Sequence, residues 1–250
     1  MLRFRRSRPA AAPPASTGGP RVYAIGDIHG RADLLDQLLG MIARDDAARP
    51  PSPVCLLFLG DLTDRGPDSA AVVDRSIALS RSGEDIRFIK GNHEEIFVLA
   101  ARGDERAVRI FRRIGGDATL ASYGLAPSAC IAMDDAAIAS WMLAHIPRAH
   151  VDFMDGFEDM LAIGDYLFVH AGIRPNVALA AQEPQALRWI RQPFLDHAAP
   201  HEKMIVHGHS ITDDIDVRSN RIGIDTGAYA SGRLTALGLE GEDRWFLQTS

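Results

Sequence analysis

Short apolar runs alternate with stretches of helical periodicity along the first hundred residues. Val22 to Ile25, Val54 to Leu59 and Ile86 to Ile89 read as short buried strands. Leu34, Leu35, Leu38, Leu39 and Ile42 follow the first run at helical spacing. Ser69 to Leu79 follows the second, and Glu94 to Arg102 follows the third, each as a further helix. Strand, loop and helix thus alternate three times, which predicts βαβ units with largely parallel pairing. From Asp104 to about His150 the pattern is mostly helical, interrupted at Gly115-Gly116 and Tyr123-Gly124, and predicts a helical insertion or cap over about 104–157. Met160 to Ile163 and Tyr166 to Val169 flank Gly164-Asp165, a hairpin signal. Further strands are expected at Met204 to Val206, Ile222 to Ile224, Leu234 to Leu239 and Trp245 to Leu247. The expected fold class is α/β (α+β), with two layers of sheet and helices outside them. No repeat of fixed period is present.

A chain of 250 residues is long enough for one well-buried α/β domain carrying an insertion. Its formal net charge is -6, from 27 Lys and Arg against 33 Asp and Glu, so no nucleic-acid partner is expected from composition. Cys55 and Cys130 are unclustered and form neither a disulfide framework nor a thiolate zinc pattern, which points to a reducing, cytosolic setting. No apolar run approaches the roughly 20 residues that span a bilayer. Met1 to Pro20 carries Arg3, Arg5, Arg6 and Arg8 but lacks the apolar core of a signal peptide. It is expected to be a disordered tail over 1–20, with a weak electrostatic tether as the alternative, and the folded domain is expected over 21–250.

Five apolar strands end in polar clusters. These are Gly26-Asp27-Ile28-His29-Gly30, Gly60-Asp61-Leu62-Thr63-Asp64-Arg65-Gly66, Gly91-Asn92-His93-Glu94, His170-Ala171-Gly172 and His207-Gly208-His209. Ligands of open α/β sheets bind at the carboxyl ends of strands, so chemistry placed there would converge. Asp, Asn and His are oxygen and imidazole ligands for a borderline divalent ion, and no cysteine joins them. Asp27, Asp61 and Asp64 gathered without a cation would raise one another's pKa values. Taken singly, each piece has a plainer reading. Asp27 or Asp61 could cap the following helix, Asn92 could be a turn residue, and His170 could be a satisfied core histidine. His207 and His209 alternate, so one would face a core and the other the crevice. The five clusters together favour a metal site.

That series resembles the calcineurin-like metallophosphoesterases, and within them the phosphoprotein-phosphatase branch with its bacterial and phage serine/threonine phosphatases. The resemblance rests on Gly-Asp-x-His-Gly, Gly-Asp-x-x-Asp-Arg-Gly, Gly-Asn-His-Glu, His-Ala-Gly and Gly-His, and spans about Val22 to Ala228. Trp189-Ile190-Arg191 and Ile224-Asp225-Thr226-Gly227-Ala228 are similar to that branch as well. The resemblance implies a four-layer fold, a two-sheet β-sandwich core flanked by helices. It implies two divalent metal ions, manganese first, with iron or zinc as alternatives. Asp27 and His29 would hold one, Asp61 would bridge both, and Asn92, His170 and His209 would complete the second. His93 would be the general acid, oriented by Asp64, while Arg65, Arg191 and Asn92 would grip the phosphate. The implied reaction is hydrolysis of a phosphate monoester by a hydroxide held between the metals.

On this reading the substrate is phosphoserine or phosphothreonine in proteins, or a small phosphoester. The rival is symmetrical cleavage of diadenosine tetraphosphate, and a more distant one is an inactive phosphate- or protein-binding module. The few aromatic residues of the insertion region (Phe111, Tyr123, Trp141, Phe153 and Phe157) lean towards the protein substrate. Arg31 is expected to be a solvated first-turn residue and Trp189 to pack against core or cap. Asp225 is read either as a support for a ligand histidine or as a turn residue.

Overall fold

A computed structural model describes residues 15–250. Strand β1 (Arg21–Ile25), helix α1 (Ala32–Ala47), β2 (Val54–Phe58), α2 (Ser69–Ser80), β3 (Asp85–Phe88) and α3 (Asn92–Ala101) form the first half of the architecture. Five helices follow: α4 (Glu105–Arg113), α5 (Gly116–Ser122), α6 (Pro127–Ala132), α7 (Asp135–His145) and α8 (Arg148–Asp155). The chain then runs through β4 (Met160–Ile163), β5 (Tyr166–Val169), α9 (Pro184–Trp189), β6 (Met204–His207), β7 (Asp216–Val217), β8 (Arg221–Gly223), α10 (Ala228–Ser231), β9 (Thr235–Glu240) and β10 (Asp243–Gln248).

Two five-stranded mixed sheets result, in the orders β10-β9-β1-β2-β3 and β4-β5-β6-β8-β7. In the first, β1, β2 and β3 pair in parallel; in the second, β5, β6 and β8 do. Side chains alternate across a strand, and this decides how the layers stack. On β1, Val22 and Ala24 join the cluster that includes Phe168, Val206 and Ile222 of the second sheet. Tyr23 and Ile25 face the other way, onto Leu34, Leu35 and Leu38 of α1. On β5, Tyr166 and Phe168 point between the sheets while Leu167 and Val169 pack on Phe194 and Leu187 outside. The molecule is thus layered as helices, sheet, sheet and an outer covering, as the sequence predicts.

The helices of 105–155 bury a core of their own with α3, built on Phe97, Phe111, Leu120, Ile138, Met142 and Met154. The predicted breaks at Gly115 and Gly124 separate α4, α5 and α6, and both glycines take positive φ. Strand β7 was not predicted: two residues, one exposed, carry no hydrophobic period. Among the described residues no helix is long and apolar enough to cross a membrane.

Residues 15–20, read from sequence as part of the tail, lie along the sheet turns. The Ser16 amide donates to Asp165 Oδ2 at 3.0 Å, and the Thr17 amide to Gly241 O at 3.0 Å. These contacts use polar atoms, so hydrophobic patterning could not announce them. The arginines of the tail lie outside the described residues.

Arg21 opens β1 and is fully buried. Its guanidinium donates to both carboxylate oxygens of Glu240 at 2.9 and 3.1 Å, to Pro50 O at 2.6 Å and to Asp46. It therefore ties the C-terminal end of α1 to β9. Breaking a buried pair costs about 3–5 kcal/mol, but Asp46 and Glu240 are partly exposed and would rehydrate. Arg21→Ala is expected to cost about 2–3 kcal/mol and to lower the melting temperature by about 5–10 °C, read by thermal unfolding. A shift under about 2 °C would show that the network is solvent-screened.

Candidate metal centre

The parallel strands of both sheets end on one side of the molecule, and their following loops interlock. The amides of Ile28 and His29 donate to Asp61 O at 3.1 and 2.9 Å, and Gly30 N donates to Leu62 O at 2.8 Å. The Glu94 carboxylate accepts from the amides of Asp61 (2.8 Å), Leu62 (2.7 Å) and Gly91 (2.9 Å). Its bond to the Gly91 amide supplies the glutamate half of a capping box at the start of α3, and the same carboxylate fixes the β2 loop. Two glycines make the approach feasible. A Cβ on Gly91 would lie 2.2 Å from Asp61 Oδ1, and one on Gly208 would lie 2.0 Å from Asp27 Oδ1.

Non-glycine residues with positive φ concentrate here. Among the described residues they are His29, Asp61, Asp64, Arg65, His209 and Asn176, and the first five belong to the predicted site. Each costs about 1–3 kcal/mol, which must be offset by surrounding contacts. Such clustering points to function.

Two groups of metal-type ligand atoms emerge, each within 4.8 Å: His29, Asp61 and His93, and Asp61, His170 and His209. Asp61 belongs to both. Its Oδ2 lies 3.6 Å from His29 Nε2 and 3.7 Å from His93 Nε2, while its Oδ1 lies 3.3 Å from His170 Nε2. Asn92 Oδ1 sits 3.0 Å from His170 Nε2 and 2.9 Å from His209 Nδ1, so it joins the second group. Asp27 stands outside both groups, with its carboxylate accepting from the His209 amide at 3.0 Å. Behind His93, Asp64 Oδ2 lies 2.6 Å from Nδ1. Arg65 Nη2 is 3.2 Å from His93 Nε2. Arg191, on the exposed rim, donates to His209 O and to Ser210 Oγ, both at 3.3 Å. Every predicted residue therefore lies in or beside one crevice.

Proton accounting tests whether cations fit. His29 Nδ1 lies 2.8 Å from Thr63 O and must carry the hydrogen that it donates. Burial, with His93 beside it, holds His29 well below the usual histidine range, so its ring is neutral. Nε2 then presents a lone pair towards the Asp61 carboxylate. His170 repeats the pattern: Nδ1 donates to Leu59 O at 2.7 Å, and Nε2 faces Asp61 and Asn92 oxygens. Burial lowers the His170 pKa, but Asp61 outweighs it and raises the pKa overall, so this ring seeks a positive charge at Nε2. Burial pushes His209 down to about 3, leaving a neutral ligand. Asp27 is driven well above the carboxylate range by burial, then by Asp225 and Asp61. Asp225 Oδ2 is buried with no partner. Lone pairs aimed at carboxylates, with an orphaned acidic oxygen nearby, suit divalent cations.

Three further residues matter that the sequence reading gave no role. Glu94 was visible as an acid three residues after a helix-starting glycine, which is the capping-box position. Thr119 of α5 donates to Asp64 Oδ1 at 2.6 Å, and no local motif marks it. Tyr229 sets its ring edge-on to His29 at 5.6 Å, with Arg65 over its face at 4.9 Å. Among the residues that were read, Arg31 is held rather than solvated, by Asp33 and Ala228 O at 3.1 Å. Trp189 packs against the helical core and donates to Glu95 Oε2 at 2.7 Å. Asp225 Oδ1 accepts the Gly227 amide at 3.0 Å, a turn contact. His207 turns away onto Phe194 and Arg221, and burial pushes it down to about 4.

The family model described as calcineurin-like phosphoesterase matches residues 20–234. A symmetrical bis(5'-nucleosyl)-tetraphosphatase of Acidovorax sp. (strain JS42) is 37% identical over 155 residues, 62% of this chain and 45% of that protein. The chain thus spans less than half the length of that relative. An asymmetrical bis(5'-nucleosyl)-tetraphosphatase PrpE of Anoxybacillus flavithermus is 27% identical over 239 residues, covering 85% of this chain and 88% of that one. A crystal structure of a candidate diadenosine tetraphosphatase superposes with a TM-score of 0.63 at 18% identity, over 93% of this chain and 95% of that one, and shares the fold.

Glu94 offers the sharpest structural test. Glu94→Gln keeps the shape but sets an NH2 group against backbone amides. The variant is expected to bind divalent cations about 10- to 100-fold more weakly while its circular dichroism is unchanged. Chelator-competition titration reads the affinity, and unchanged binding would remove Glu94 from the organisation of the site.

Proposed function

The chain belongs to the calcineurin-like phosphoesterases, and from that membership we propose that it hydrolyses dinucleoside tetraphosphates with the help of two divalent cations. The observation that carries this reading is the pair of ligand groups sharing Asp61. Asp27, which lies beside the two groups, and His29 would hold one cation, Asp61 would serve both, and Asn92, His170 and His209 would hold the other. Manganese is the first choice of metal, with iron or zinc as alternatives. Such cations supply charge neutralisation and a water acidic enough to ionise near neutral pH. Cys55 and Cys130 are free and buried, in keeping with a cytosolic enzyme.

The chain's own groups do the remaining work. Arg65, Arg191 and Asn92 bind the phosphate oxygens, the arginines as planar, always-charged forks. His93 Nε2 delivers a proton to the leaving oxygen, and Asp64 fixes the ring through Nδ1. Burial lowers the pKa of His93, but Asp61 and Asp64 outweigh it and raise the pKa above the usual histidine value. The 3.2 Å contact with Arg65 suits only an unprotonated Nε2, since a guanidinium cannot accept a hydrogen bond. A phosphate that draws Arg65 away leaves Nε2 free to carry the proton. The full set of ligand-type residues, with His93, disfavours an inactive binding module.

The named relatives support a dinucleotide substrate over a phosphoprotein. Phe111 is fully buried, and Tyr123, Trp141, Phe153 and Phe157 pack against the cores, so their number says nothing about a substrate wall. Tyr229, 36% exposed and beside His29 and Arg65, is an aromatic face that the crevice does offer. It suits a nucleobase or ribose next to the bound phosphates.

Manganese-loaded protein is expected to turn over diadenosine tetraphosphate faster than phosphothreonine or phosphotyrosine peptides. Chromatography of the products assigns the scissile bond: ADP alone means symmetrical cleavage, and ATP with AMP means asymmetrical. Faster turnover of the phosphothreonine peptide would return the reading to a protein phosphatase. Tyr229→Ala is expected to raise KM for the dinucleotide about tenfold, from the loss of about 1–3 kcal/mol of stacking. The same variant should raise KM for p-nitrophenyl phosphate by less than about threefold, and an equal rise on both substrates would deny Tyr229 a base contact.

A further inference from the structure

We propose that Thr119, carried by the helical insertion, is the positioning residue for the Asp64–His93 pair. The proposal rests on the reading of His93 as the proton donor to the leaving group. Thr119 is fully buried. Its Oγ1 accepts from the Asp64 amide at 2.9 Å and lies 2.6 Å from Asp64 Oδ1. It also lies 2.9 Å from Ser69 Oγ, at the start of α2.

Counting hydrogens fixes the direction of this chain. A hydroxyl has one proton, and the ionised Asp64 oxygen can only accept. The Thr119 hydrogen therefore goes to Asp64 Oδ1. Ser69 must then donate its own hydrogen to Thr119 Oγ1. The other carboxylate oxygen, Oδ2, takes the His93 Nδ1 hydrogen at 2.6 Å. With one oxygen anchored from below, the carboxylate plane cannot rotate, and the imidazole is held with Nε2 towards Asp61 and Arg65.

Backbone contacts from the same insertion reinforce this. Asp64 and Arg65 are consecutive non-glycine residues at φ 72° and 68°. Each such residue costs about 1–3 kcal/mol. Gly115 O accepts the Arg65 amide at 3.1 Å, and Ile114 O accepts Arg65 Nε at 3.4 Å. The turn before α5, together with Thr119, therefore grips both residues whose side chains serve the leaving group and the phosphate. Removing the hydroxyl alone leaves these backbone contacts and the Ser69 bond to the Asp64 amide at 3.0 Å, so the loop should keep its course.

The test compares two leaving groups. Phenyl phosphate needs a proton on its departing oxygen, and 2,4-dinitrophenyl phosphate does not. Thr119→Val should lose about 10- to 100-fold in kcat on phenyl phosphate and less than about twofold on the dinitrophenyl ester. KM and bound manganese should hold, and the melting temperature should fall by about 2–10 °C, leaving the protein folded at 25 °C. Thr119→Ser, which keeps the hydroxyl, should recover most of the loss, and Ser69→Ala should show the same selectivity in weaker form. In metal-free protein, the downfield Nδ1–H proton resonance that His93→Asn removes should broaden or vanish in Thr119→Val and persist in Thr119→Ser. Equal loss on both esters, or no loss on either, would overturn the positioning role. His93→Asn separates this from failure of the parent reading: if it shows no leaving-group selectivity, His93 is not the proton donor and the Thr119 role falls with it.

Discussion

Negative charge is the constraint around which this molecule is built. The carboxylates of Asp27, Asp61, Asp64, Glu94 and Asp225 are each at most 2% exposed and gather behind one crevice. Burial first, and then the neighbouring carboxylates, drive Asp27, Glu94 and Asp225 upward, towards holding protons. Asp61 runs the other way because His170, His93 and His29 surround it and outweigh its burial. A cation entering this cluster competes with protons, so metal binding and proton release are the same event seen from two sides. The cation also reverses the local rule, since its charge dominates any neighbouring carboxylate.

The loops that hold these groups are strained, and the strain has identifiable support. Five site residues sit at positive φ without being glycine. Their conformations let a backbone that leaves a strand turn its side chain back over the strand end. Glu94 is central to that arrangement, since one carboxylate satisfies three amides from two loops. An amide left unpaired in this buried place would cost about 1–3 kcal/mol. The same residue therefore starts a helix, closes a loop and keeps Asp61 between two groups of histidines. Structure and site are not separable at this position.

Much of this was legible in the sequence because strand ends speak in short words. The apolar runs located the main strands, and the glycine-acid and glycine-histidine pairs that follow them marked the converging ends. The Gly91 and Gly208 signals have a direct cause, since a Cβ there would strike Asp61 or Asp27. What could not be read was anything made by distance in sequence. Thr119 meets Asp64 across 55 residues, and its neighbours give no hint. The split between His207 and His209 follows from strand alternation, but which ring faces the crevice does not. The edge strand β7 is too short and polar to pattern. The aromatic residues of the insertion were countable but not placeable, and most turned out to fill cores.

Substrate choice belongs to the parts that surround the shared ion site. The ligands come from strand ends of both sheets, and a fold built this way accepts many phosphate esters. What can differ is the rim. On one side stands the insertion, whose α5 turn grips Asp64 and Arg65. On the other stands α10, pinned by Arg31 to the start of α1 and presenting Tyr229 beside the same arginine. Arg65 is thus touched from both walls, by Ile114 O and by an aromatic face. A change in either wall would re-aim the guanidinium without moving a metal ligand. Phosphate recognition and leaving-group recognition can therefore be altered while the ligand-type residues stay fixed.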